Sequence, residues 1–196
     1  NIYLTHPVFP EKAQLTEAVF KVSGEKGNTH WIGIAPFAQY ESKVYPLDLM
    51  QEVIVELAKI TSHIIFLFGG GKKETELLQA LSANLDNVIV VAGKLKLQQE
   101  LQLIAHLDVM LSMDSGNSHI AAMLGVKVVT LWGATHPYAG FKPFNQPFDN
   151  CLTADREKYP LLPTSVYGNK IVPGYEDAMR TITVATVVAK INSNLA

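Results

Sequence analysis

Five short apolar runs dictate what this chain can become. They are WIGIA at 31–35, HIIFLF at 63–68, VIVVA at 88–92, VMLSM at 109–113 and VKVVTLW at 126–132. Several close on turn residues: Pro36, the triple glycine 69–71, Gly93 and Gly133. Between them, residues 47–60, 74–85, 97–107 and 117–124 place apolar side chains at helical spacing. Gly125 follows as a C-terminal cap. Runs that are apolar throughout, rather than alternating, belong to strands covered on both faces. The regular exchange of strand and helix predicts an α/β fold, a Rossmann-like doubly wound parallel sheet with right-handed crossovers. Ligands in such sheets bind outside the carboxyl ends of the strands. The loops that follow the strands are therefore the places to look for chemistry.

The remainder of the chain is less regular. Residues 133–175 are rich in proline and aromatics, and a connection of that length is functional or covers a neighbour. Residues 175–195 are expected to be helical, and 11–22 form a candidate amphipathic helix. A chain of 196 residues with 48% hydrophobic content suits one globular domain. Sixteen basic against eighteen acidic residues leave a net charge of −2, so no broad electrostatic footprint for nucleic acid is present. The single Cys151 excludes an internal disulfide and a Cys-rich zinc site. No apolar run approaches the roughly 18 residues of a membrane span.

Each post-strand loop carries a candidate. Lys43 lies near a helix start, where an ammonium and free amides can share an anion; a solvated lysine is the alternative. The Gly69-Gly70-Gly71 turn matches neither the P-loop nor G-x-G-x-x-G. Glu74 or Glu76 just beyond it can accept from a ribose hydroxyl, or simply satisfy the helix dipole. After the fourth strand, Asp114-Ser115-Gly116 runs into a short helix. Ser115 and Gly116 would offer backbone amides to an anion, and Asp114 would accept from sugar hydroxyls. His119 follows within about one turn. The alternative is a simple helix cap with a core histidine. Thr135 and His136 follow the fifth strand and reach the same sheet edge. No nucleophilic triad and no metal-ligand spacing can be assembled.

Taken together, three segments resemble the C-terminal half of glycosyltransferase family 9, the lipopolysaccharide heptosyltransferases. They are 35–46 with Lys43, 113–121 (MDSGNSHIA) and 132–141 (WGATHPYAGF). The resemblance implies one half of a GT-B glycosyltransferase, with residues 1–30 as interdomain segment and 31–196 as the nucleotide-sugar-binding domain. It implies inverting transfer of heptose or a similar sugar from a nucleotide-sugar, ADP-heptose, to a lipopolysaccharide core acceptor. That acceptor, and the general base, would belong to an N-terminal domain absent from this sequence, so this chain alone is expected to be inactive. Lys43, Ser115 and Gly116 would hold the donor diphosphate, Asp114 and His119 the sugar, and Glu74, Glu76 and Leu95 the nucleoside. Where some members carry hydroxyl residues ahead of the lysine, this chain has Ala38 and Gln39. No cofactor or metal is implied. The implied location is cytoplasmic, open to peripheral attachment at the inner face of the inner membrane. Two alternatives share the fold: a sugar-nucleotide 2-epimerase-like domain and a non-catalytic nucleotide-sugar-binding module.

Overall fold

A computed structural model describes residues 8–196. The first seven residues of the expected interdomain segment lie outside that range. In chain order the regular elements are α1 (Glu17–Ser23), β1 (His30–Ala35), α2 (Leu47–Ala58), β2 (His63–Leu67), α3 (Gly71–Leu81) and β3 (Val88–Val90). They continue with α4 (Leu97–Ala105), β4 (Val109–Met113), α5 (Gly116–Met123), β5 (Lys127–Trp132), β6 (Cys151–Thr153) and α6 (Val184–Leu195). The six strands form one sheet in the order β3-β2-β1-β4-β5-β6, and every pairing is parallel. This is the doubly wound architecture expected from the alternating runs.

The core lies in two layers because successive residues of a strand face opposite ways. Ile32 and Ile34 of β1 join Met50, Ile54, Leu78, Val187 and Ile191 on the face covered by α2, α3 and α6. Trp31 and Ala35 join Val19, Leu103, Ile104 and Ala121 on the face covered by α1, α4 and α5. Helix α2 buries Met50, Val53, Ile54 and Leu57, the i, i+3, i+4, i+7 stripe visible in its sequence. Gly33 is required where the α4–β4 connection and β4 press on β1. A Cβ there would lie 2.5 Å from Leu107 Cδ1 and 2.9 Å from Met110 Sδ.

Three expectations change. The loop 133–175 contains β6, a three-residue edge strand whose register pairs Thr130 with Cys151. None of its three residues is buried, so no apolar run marks it in the sequence. The helix expected over 175–195 begins only at Val184, where the Thr183 side chain caps it by accepting from Thr186 N–H. A single 3-10 turn, Ala178–Thr181, precedes it. The candidate helix 11–22 is confined to Glu17–Ser23, with fully buried Val19 docked against the α4 face. Lys26 adds an ion pair to Asp108 at 2.8 Å, and Asp108 also accepts from Trp31 N–H. From Glu17 onward, the stretch expected as interdomain segment is therefore packed on this domain. No helix among the described residues is long and apolar enough to cross a membrane.

Candidate functional site

β1 and β4 are neighbours, yet the chain leaves β1 toward β2 on one side and β4 toward β5 on the other. Their following loops diverge, and the crevice between them is where this architecture binds ligands. After β1, a 3-10 turn (Glu41–Lys43) carries Lys43 over the end of β4. Lys43 Nζ lies 2.9 Å from Asp114 Oδ2, with both side chains largely buried. Thr135 Oγ1, from the loop after β5, donates to the same oxygen at 2.9 Å. Three loops thus meet on one carboxylate.

Asp114 leads directly into α5. Ser115 occupies the N-cap position but makes no capping bond to the helix. Its hydroxyl instead pairs with Ser112 Oγ at 3.1 Å. The first turn of α5 holds no acidic residue. Gly116 faces open space, with nothing within 4 Å of a built Cβ. The leading amides of α5 are therefore left to an external acceptor, which is the anion-binding arrangement of a helix start.

A cavity of about 320 Å³ opens in front of these amides. Ser115, Gly116 and Asn117 line one side, Phe37, Ala38 and Gln39 of the β1 loop another. Phe68, Gly70 and Glu74 contribute from beyond β2, and Glu100 from α4. Glu74 Oε2 accepts from Gly70 N–H at 2.7 Å, so this acid both closes its own helix start and borders the cavity. Burial pushes the Glu100 carboxyl above the usual carboxylate range.

The structure gathers most, but not all, of the residues singled out in the sequence. Lys43 and Asp114 touch; Ser115, Gly116 and Glu74 line the cavity. Glu76 is exposed and faces Lys72 at 3.9 Å along its own helix, outside the cavity lining. Leu95 packs half-buried against the α4-side core, and His119 is half-buried on α5; neither borders the cavity. His136 acts locally, its Nδ1 accepting from Tyr138 N–H at 3.3 Å to cap a 3-10 turn. Cys151 lies beside Thr130, and burial raises its thiol pKa, so it stays protonated.

Sequence reasoning missed Glu100, the second carboxylate on the cavity, because its spacing is that of an ordinary surface position on α4. It also missed a strap formed by 163–170. Thr164 N–H donates to Ala134 O at 2.9 Å, and Ser42 Oγ donates to Gly168 O. Gly168 has φ +72°, and a Cβ there would lie 2.9 Å from both Lys43 Cδ and Thr135 Cγ2. The strap therefore rests on the Lys43–Asp114–Thr135 cluster. Its positive-φ glycine was the available signal.

Comparison with known proteins bears on the family and the fold. The heptosyltransferase 2 of Haemophilus influenzae lipooligosaccharide synthesis is 29% identical over 194 residues, covering 95% of this chain and 54% of the relative. The structure of E. coli ADP-heptose lps heptosyltransferase II superposes with a TM-score of 0.69 at 22% identity, covering 98% of this chain and 55% of that one. E. coli heptosyltransferase WaaC, solved with ADP, gives 0.63 at 23% identity over 85% of this chain and 45% of its own. The chain thus spans about half the length of these proteins. The family described as glycosyltransferase family 9 (heptosyltransferase) matches residues 3–169, across every loop of the site. This chain belongs to glycosyltransferase family 9, the heptosyltransferases.

Proposed function

We propose that this chain is the donor-binding, C-terminal half of an inverting heptosyltransferase, which takes ADP-heptose as donor and a lipopolysaccharide core sugar as acceptor. The observation that carries the reading is the meeting of Lys43, Asp114 and the uncapped amide terminus of α5 at the switch point of the sheet. Lys43, Ser115 and Gly116 hold the diphosphate, Asp114 faces the sugar, and Glu74 addresses the nucleoside, whereas His119 and Leu95, expected at the sugar and the base, lie outside the cavity lining. Glu76 stands outside the cavity and has no part in it. A relative solved with ADP supports the choice of nucleotide.

The chemistry follows from charge. An acceptor hydroxyl attacks the anomeric carbon, the bond from that carbon to the diphosphate oxygen breaks, and ADP departs with the added negative charge. A fixed ammonium and aligned helix amides stabilise that charge as it develops. The proton of the acceptor hydroxyl needs a base, which we assign, together with acceptor binding, to a separate N-terminal domain. The purified chain then binds donor but does not turn it over.

Calorimetry with ADP and ADP-heptose tests the reading. Saturable binding of both is expected. No heat with either at millimolar concentration would overturn it, and sugar transfer by this chain alone would overturn the division of labour.

A further inference from the structure

We infer that Glu100 is a specificity residue for the donor base, accepting a hydrogen bond from the exocyclic 6-amino group of adenine. The inference rests on the donor-site reading above and adds to it the group that selects the base.

The cavity runs along the sheet edge past the ends of β4, β1 and β2, and α4 closes it on the face that α4 shares with α5. Its β4 end carries the α5 amides, whose helix start is left open to phosphate. Next come the β1 loop and then Glu74 beyond β2. Glu100 stands on α4, the element that follows β3. A nucleoside diphosphate laid along this edge with phosphate on α5 passes its ribose by Glu74 and turns its base toward Glu100. Phe37 and Phe68 line the same space and offer apolar ring surface to a purine.

The two carboxylates differ in what they still need. Glu74 already accepts from Gly70 N–H. Glu100 is half-buried and has neither a hydrogen-bond nor an ion-pair partner for its side chain among the described residues. Among the described residues, no lysine, arginine or histidine lines the cavity. A half-buried carboxylate without a partner is costly, and its raised pKa records that cost. It would repel a phosphate, so it must face the neutral end of the nucleotide. There it requires an N–H or O–H donor. With the ribose hydroxyls adjoining Glu74, the donor left for Glu100 is an exocyclic amine. A carbonyl oxygen in that place would meet the carboxylate lone pairs with no hydrogen between them, which penalises a 6-oxopurine.

Binding of ADP and IDP to the wild-type chain, E100A and E100Q decides the matter. IDP replaces the 6-amino group with a carbonyl. Wild type should prefer ADP by roughly tenfold or more, the worth of one hydrogen bond to a charged group. E100A should bring the two affinities together. E100Q, nearly isosteric and able to donate to a carbonyl, should narrow or reverse the preference, which a merely structural role for Glu100 would not produce. A wild type indifferent to the base, or an ADP preference retained in both variants, would overturn the role of Glu100 while leaving the donor site standing. A wild type that binds neither nucleotide would remove the donor site itself.

Discussion

Lys43 Nζ rests 2.9 Å from Asp114 Oδ2, with 13% and 7% of the two side chains exposed. The group that would meet a diphosphate and the group that would meet the sugar are therefore already bonded to each other. A buried pair of this kind is strongly held only while both partners remain, because either alone is an uncompensated charge. A donor entering the site offers Lys43 a second anion, and Thr135 Oγ1 keeps Asp114 satisfied if the ammonium moves.

Replacing Lys43 with Ala should weaken ADP binding by tenfold or more while leaving adenosine binding nearly unchanged. Calorimetry with both ligands checks this. Equal losses for the two would assign Lys43 to folding rather than to phosphate.

The pair should also show coupling in stability. Asp114→Ala should cost about 3 kcal/mol, because it strands the Lys43 charge. Lys43→Met should cost a similar amount for the converse reason. The double variant should cost less than the sum, since both charges leave together. Urea unfolding of the four proteins measures the cycle, and strict additivity would rule out the coupling.

Gly168→Ala should disturb the same cluster from above. Its φ of +72° disfavours any Cβ, and the new methyl would press on Lys43 and Thr135. A loss of about 1–3 kcal/mol is expected, together with weaker ADP binding. Unchanged melting and unchanged affinity would show that the strap yields freely.

Stability should fall in mild acid through His63. This side chain is 4% exposed, and burial, with a smaller push from His30, holds its pKa below the ordinary 6.5. The unfolded chain then takes up a proton that the folded chain refuses. The contribution is full above pH 6.5 and is lost as pH falls through 6.5 toward the folded value. His136, lowered for the same reason, adds in the same direction. His63→Gln should flatten the dependence of the urea midpoint on pH between about 5 and 7. An unaltered slope would place the effect elsewhere.

The elements legible in the sequence were those with a pattern long enough to repeat. β1 to β5 announced themselves as apolar runs, and α2 by its Met50–Leu57 stripe. β6 did not, because Cys151-Leu152-Thr153 is only partly buried on the sheet edge and carries no apolar run. In the site, Asp114, Ser115 and Gly116 were visible because a strand end, a glycine and a helix start fall together. Lys43 was visible only as a lysine near a helix; its partner 2.9 Å away is brought by the β1–β4 pairing, which local sequence does not encode. Glu76 and Glu74 looked alike in sequence, and helical rotation alone separated them.

The strand order has a consequence for synthesis. β1 is the first of the six strands to be made, yet it ends in the middle of the sheet, with β2 on one side and β4 on the other. A nascent chain can zip β1 to β2 and β3 soon after they emerge. The opposite edge of β1 keeps its N–H and C=O groups unpaired until β4 has been translated and docked. An uncovered edge of this kind invites pairing with other chains. The interval between β3 and β4 is therefore the one in which this polypeptide most needs a chaperone.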